Sequence, residues 1–155
     1  MRRRRAPVRE IPADYKYRSE LVSKFVNNIM YDGKKSVAED IFYGAIDLIT
    51  ERTGKEGIDV FNQAINNVKP MVEVRPKRIG GQTYQVPMEV QKNKGYSIAM
   101  HWLRDFSRAK KGKSLARKLA EEIVNAYKNE GPIIKKRDDT HKMAEANKAF
   151  AHFRF

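Results

Sequence analysis

Residues 71–90 read MVEVRPKRIGGQTYQVPMEV, the one passage that breaks an otherwise helical pattern. Two β-rich runs, 72–75 and 83–90, flank Gly80-Gly81, the sequence form of a hairpin closed by a glycine turn. Two strands alone are marginal in water, so the ribbon must lean on helices or on a partner. A two-residue turn would oppose Val74 to Pro87 and scatter the apolar residues over both faces. A three-residue loop, Gly80-Gly81-Gln82, opposes Val72 to Val90, Val74 to Met88, Pro76 to Val86 and Arg78 to Tyr84. That gathers the apolar base on one face, as a half-buried ribbon requires. Its cost is Glu73 facing Glu89, a few tenths to ~1 kcal/mol. The expected loop is therefore the three-residue one. Arg75, Lys77, Arg78, Tyr84 and Gln85 surround the tip, and glycine lets the chain lie close to a phosphate backbone. The competing reading is an edge hairpin guarded by charges and prolines.

The 155 residues suffice for one domain hiding roughly 70% of its unfolded surface. Against 19 Asp+Glu stand 32 Lys+Arg, a net charge of +13 that repels itself and attracts polyanions. No run approaches the ~20 apolar residues of a membrane span. Residues 1–9, MRRRRAPVR, lack the apolar core of a secretory signal and are too short and basic for an amphipathic anchor. Without cysteine there is neither a disulfide nor a thiolate metal site. The cytosol is the expected compartment, and no membrane partner is expected.

Outward from the hairpin the pattern is helical. Residues 1–18 mix arginines with Pro7, Pro12, Tyr15 and Tyr17 and predict an extended basic arm, ordered by its partner; the rest, 19–155, is one helical domain. Ser19 is placed to cap a first helix on Leu21, Val22, Phe25, Val26, Ile29 and Met30. Asp32-Gly33 ends it, leaving Lys34-Lys35 as a basic corner. Ser36 and Glu39 form a capping-box pattern before a second helix on Val37, Ile41, Phe42, Ala45, Ile46, Leu48 and Ile49. A third helix buries Ile58, Phe61, Ala64, Ile65 and Val68. Beyond the hairpin, residues 91–95 read as a polar re-entry. The fourth helix buries Ile98, Ala99, Trp102, Leu103 and Phe106, with Met100, His101, Arg104 and Arg108 opposite. A basic loop at 109–113 leads to Ser114 and a fifth helix on Leu115, Leu119, Ala120, Ile123, Val124 and Tyr127. Asp138-Asp139 suit the start of a last helix, on Met143, Ala146, Asn147 and Phe150. The tail 150–155, FAHFRF, suits either stacking on single-stranded nucleic acid or an aromatic cluster closing the core. The fold class is thus mainly α: a single domain of six helices, with one protruding β-hairpin between helices three and four.

No catalytic set emerges. His101 and Asp105 at i, i+4 invite an ion pair, but a metal site needs further ligands, and His141 and His152 are remote in sequence. Gly80-Gly81 precedes a strand and fails the phosphate-loop and dinucleotide patterns. Neither enzyme activity, nor a cofactor, nor a small-molecule substrate is expected.

Several passages carry a resemblance: Arg2-Arg3-Arg4-Arg5-Ala6, Ile29-Met30-Tyr31-Asp32-Gly33-Lys34-Lys35, Asn67-Val68-Lys69-Pro70, Ile79-Gly80-Gly81, Tyr84-Gln85-Val86-Pro87, and the run KKRDDTHKMAEANKAFAH at 135–152. In this order they resemble the small-subunit ribosomal protein seven family, bacterial type, from end to end. The resemblance implies a primary binder of small-subunit rRNA that nucleates assembly of the head. It would lie near exit-site tRNA and departing mRNA, beside ribosomal proteins nine and eleven. Taken with the basic patches, it makes Arg2, Arg3, Arg4, Arg5, Arg9, Lys34, Lys35, Arg75, Lys77, Arg78, Lys92, Lys94, Arg104, Arg108, Lys110, Lys111 and Lys113 the expected rRNA contacts. Arg78, Gly80, Gly81, Tyr84, His152 and Arg154 are expected to face tRNA or mRNA. His101 stands where the family usually has arginine, and the tail aromatics around Arg154 are phenylalanines rather than tyrosine and tryptophan. A generic helical nucleic-acid binder is the competing class. If the cations sit on distinct surfaces of one rigid body, folded RNA would neutralise them jointly, since folded RNA is read by shape, phosphates and splayed bases.

Overall fold

A computed structural model describes residues 6–7 and 9–153. Six α-helices and one hairpin follow in the order α1 (Glu20–Ile29), α2 (Lys35–Thr53), α3 (Gly57–Val68), β1 (Val72–Ile79), β2 (Gln82–Glu89), α4 (Lys92–Ala109), α5 (Leu115–Tyr127) and α6 (Pro132–Ala146). A short 3-10 helix, Lys148–Phe153, ends the described chain.

The apolar spacing of α1, α2 and α3 closes on three rings. Phe25, Phe42 and Phe61 are all fully buried, with centroids 5.1 to 5.8 Å apart. Such tilted and edge contacts add to what their burial already contributes. Around them pack Val22, Ile49, Ile65, Leu103, Leu119, Ile123 and Ile133, so the helices share one core. At the α2–α3 corner Gly54 ends α2 in the left-handed region. The N–H of Gly57 donates to Thr50 Oγ1, and a Cβ there would lie 2.6 Å from the carbonyl oxygen of Ile46. Near the hairpin root, Asn67 Nδ2 donates to the carbonyls of Ala126 and Tyr127 at the end of α5. Arg137 of α6 donates in turn to the Asn67 carbonyl, tying three helices together.

Several local expectations shift. Helix α2 begins at Lys35, so Ser36 is already helical, the capping box does not form, and Val37 is 51% exposed. Residues 92–95 belong to α4 rather than to a loop; Gly95 is buried, and a Cβ there would meet Lys69. Met100 is buried at the α1 side of α4. Helix α6 starts at Pro132, whose fixed φ and missing N–H suit a first turn, not at Asp138. It buries Ile133, Ile134 and Ala144 and leaves Met143 exposed.

The hairpin register also corrects the expectation. Ile79 pairs with Gln82, Val74 with Pro87 and Val72 with Glu89, leaving a two-residue Gly80-Gly81 turn. Both glycines have positive φ, +57° and +88°, the signature of a type I′ turn, whose twist matches the strands. The one-sided argument failed because the base is covered on both faces. Consecutive Val86 and Pro87 are both buried. Helix α6 packs against both strands, the 3-10 helix packs on β2, and Lys94 of α4 reaches Glu73. Glu73 now faces Met88, so the anticipated like-charge clash is absent. Arg78 and residues 80–83 remain exposed at the protruding tip.

Candidate nucleic-acid interface

Helix α4 is the spine of the candidate interface. Its eighteen residues span ~27 Å. At helical spacing Asn93, Ser97, His101, Arg104 and Arg108 share one face. That face adjoins α1. Arg108 Nη2 donates to the carbonyl of Ile29 at 2.8 Å, satisfying a terminal carbonyl of α1. The same guanidinium lies 6.0 Å from the Tyr31 ring, which is 70% exposed. Positive φ at Asp32 and Gly33 then reverses the chain and sets Lys34 and Lys35 beside this aromatic. Lys35 is 4.0 Å from Glu39, an exposed pair of little strength, while Lys34 has no acidic partner among the described residues.

His101 does not pair with Asp105 as its spacing suggested. Its Nδ1 lies 2.6 Å from the Ser97 carbonyl, so Nδ1 carries the proton, and Nε2 accepts from the Asn28 amide at 3.4 Å. Asp105 accepts instead from Arg104 Nε at 2.7 Å, and that guanidinium holds its carboxyl below the usual range.

At the other end of α4, Lys94 and Arg75 share Glu73 Oε1, joining hairpin to helix. Burial alone would raise the Glu73 carboxyl, but the two cations outweigh it and hold it low. Lys92 is exposed and has no acidic partner among the described residues. The arm reaches the same side: Arg9, Glu10, Ile11 and Pro12 flank a groove with Glu20 and Lys24 of α1. The arm joins the body at Asp14, which is buried and accepts from the Tyr43 hydroxyl at 2.6 Å and from the N–H groups of Lys16 and Tyr17. Burial, then Asp14, pushes the Tyr43 phenol far up.

The 110–113 loop is less free than its charge suggests. Lys110 lies 2.5 Å from Glu122, a carboxylate only 1% exposed, and 3.6 Å from Glu121; Lys113 also binds Glu121. Burial would lower the Lys110 ammonium, yet Glu122 and Glu121 raise it. Lys113 chiefly holds Glu121 low. Lys111 has no acidic partner among the described residues. At the hairpin tip, Tyr84 packs on Phe150 and Phe153 with centroids 5.3 and 5.1 Å away, and Lys77 Nζ donates to the Phe153 carbonyl. His152 lies against Phe153 at 4.0 Å. The tail rings thus close on the hairpin, not on the main core. Arg2, Arg3, Arg4, Arg5 and Arg154 lie outside the described residues.

The structure places Arg104 and Arg108 on one face of α4 with Arg108 beside the Lys34-Lys35 corner, joins Lys94 and Arg75 through Glu73, and sets Arg9 and Lys92 in the lining of grooves along α1. Arg78 is exposed near the hairpin tip, and Lys110, Lys111 and Lys113 lie beyond the C-terminal end of α4. Sequence reasoning missed Tyr31, although an aromatic beside a positive-φ turn and two lysines was a usable signal. It also missed Lys24 and Tyr96, which line a groove between α1 and α4. No group of His, Asp or Glu suited to a metal occurs among the described residues, and no described helix is long and apolar enough to cross a membrane.

The family model for ribosomal protein S7p/S5e matches residues 1–148. A protein of Fervidobacterium nodosum named small ribosomal subunit protein uS7 is 61% identical over 155 residues, the full length of both chains. Proteins of the same name from Thermotoga petrophila, at 55% over the full length of both, and Thermodesulfovibrio yellowstonii, at 56% over 99% of both, are also similar. A match of this extent leaves no part of the fold unaccounted for, and the chain belongs to the ribosomal protein S7p/S5e family, a family of ribosomal structural proteins rather than enzymes.

Proposed function

We propose that the protein is a structural constituent of the small ribosomal subunit in the cytoplasm. In this reading it binds small-subunit rRNA directly and nucleates folding of the head domain. The α4 face with the Lys34-Lys35 corner and hairpin root supplies the main grip, reinforced by the arm, and the 110–113 loop makes a separate contact. The hairpin tip and tail (Arg78, Gly80, Gly81, Tyr84 and His152) face exit-site tRNA and departing mRNA. Ribosomal proteins nine and eleven are its expected neighbours. The observation that supports this reading best is Arg108, on the α4 face it shares with Arg104, set 6.0 Å from the exposed Tyr31 ring beside Lys34, which has no acidic partner among the described residues.

Exposed ion pairs such as Lys35–Glu39 cost little to exchange for phosphate. The test is binding to protein-free small-subunit rRNA across a salt series, with footprinting. Joint Arg104→Ala and Arg108→Ala substitution should reduce the log–log salt slope by roughly 1.4 to 1.8, two phosphate contacts' worth. An unchanged slope removes α4 from the interface. A generic helical binder would take duplex DNA equally well, so competition at fixed salt separates the two classes.

A further inference from the structure

Between α1 and α4 runs a groove of about 620 Å³, lined by Ile11 of the arm, Glu20, Leu21, Lys24 and Asn28 of α1, and Lys92, Asn93, Tyr96, Ser97 and Met100 of α4, with Glu20 its one acidic lining residue. Its lining is mixed in a specific way. Leu21 and Met100 offer apolar walls and Tyr96 an aromatic ring, while the amides of Asn28 and Asn93 and the Ser97 hydroxyl offer hydrogen bonds. The Tyr96 ring carries Lys69 Nζ at 4.8 Å from its centroid, a cation that polarises the π system. Lys92 at the rim has no acidic partner among the described residues, and Lys24 is held only by exposed Glu20 at 3.6 Å.

One atom stands out. With His101 Nδ1 donating to Ser97, the Asn28 amide must direct Nδ2 toward His101 Nε2, which leaves Oδ1 as the outstanding acceptor. That oxygen is buried and has no hydrogen-bond partner among the described residues. The terminal torsion of asparagine is soft, so a donor entering the groove can draw the oxygen out and satisfy it, at the expense of the long 3.4 Å contact between Nδ2 and His101. A buried unpaired acceptor is costly, so a ligand that donates there gains more than one hydrogen bond in water would give.

We infer that the α1–α4 groove is a pocket for one unpaired RNA base, stacked on Tyr96, donating an exocyclic amine to Asn28 and flanked by phosphates on Lys92 and Lys24. This rests on the rRNA-binding reading and adds a base-reading element to a surface that otherwise contacts phosphates. The amine requirement favours adenine, cytosine or guanine over uracil. Stacking on an aromatic tolerates any base, so discrimination falls to Asn28.

The experiment uses the full chain and protein-free small-subunit rRNA. Tyr96→Leu should weaken binding roughly tenfold with the salt slope unchanged, because stacking releases no counterions. Tyr96→Phe should restore affinity, since the ring and not the hydroxyl carries the contact. Chemical probing of Watson–Crick edges should show an unpaired base protected by wild type and by Tyr96→Phe but reactive with Tyr96→Leu and Asn28→Leu. Wild-type affinity for Tyr96→Leu, a slope change equal to a lost phosphate contact, or an unaltered protection pattern overturns the pocket and leaves the rRNA-binding reading intact. Failure of the wild-type protein itself to bind the rRNA overturns that reading, and the pocket with it. Thermal melts separate both from misfolding, and Tyr96→Phe keeps the test decisive if Tyr96→Leu is destabilised.

Discussion

The glycines of the hairpin turn carry no packing role: a Cβ on Gly80 or Gly81 would meet nothing within 4 Å. Their constraint is conformational, and Gly80→Val should cost roughly 1 to 2 kcal/mol of local strain. Gly80→Asn should be nearly neutral, because Asn-Gly suits the same turn. Hydrogen exchange would show the valine loss confined to the hairpin amides, with the domain melt almost unmoved. Lys110 presents the opposite case. Lys110→Met strips buried Glu122 of its counter-ion and should destabilise the domain by about 2 to 3 kcal/mol in a denaturant melt, whereas Lys111→Met should do almost nothing. Glu73 supplies a pH test. Its folded carboxyl is held low by Lys94 and Arg75, so its contribution is fully present above the ordinary carboxylate value, about 4.3, and is lost as pH falls through the lowered one. Glu73→Gln should therefore flatten the acid limb of the Tm–pH curve and leave the limb above neutrality unchanged.

At the scale of elements, the hairpin is held by what covers it, and the tail is the outermost cover. Tyr84→Ala should release the 3-10 helix, seen as faster exchange of the amides of Phe150 and Phe153, while α1, α2 and α3 stay protected. The same distinction explains what the sequence could show. The third and fifth helices were legible because Phe61, Ala64, Ile65 and Val68, or Leu119, Ala120 and Ile123, repeat at the helical period and sink into one core. The start of α6 was not. Asp138-Asp139 looked like a dipole-matched opening, but Pro132 fixes the first turn, and Ile133 and Ile134 are buried ahead of it. The capping box failed similarly, because the turn through Asp32 and Gly33 lets helix α2 begin at Lys35. The hairpin register was misjudged because alternation predicts pairing only when one face is dry, and here helices cover both faces. The cations of the candidate interface were legible as charge. Their partners were not: nothing local tells that Lys110 meets Glu122 while Lys111 meets no acid among the described residues, since that depends on how α5 docks.

For the molecule as a whole, the arrangement of charge matters more than its excess. The Arg108–Ile29 contact ties the α4 arginines to the end of α1 beside the basic corner, Glu73–Lys94 ties the hairpin root to α4, and Asp14–Tyr43 ties the arm to α2, so all four patches are fixed to one body. An RNA that touches both ends of α4 must hold its own segments ~27 Å apart in a fixed relation. Binding then favours the folded RNA by the difference in affinity between its folded and unfolded forms. This makes a distinctive prediction for a cycle pairing Lys34→Ala with Arg78→Ala. On rRNA already folded by magnesium, two distant contacts should lose affinity additively, within about 0.3 to 0.5 kcal/mol. On rRNA that folds only as it binds, the first loss already forfeits much of the linkage, so the second should cost less than it does alone. Filter binding at high and low magnesium reads both arms of the cycle. Additivity under both conditions would mean that each patch holds the RNA independently and that the body between them organises nothing.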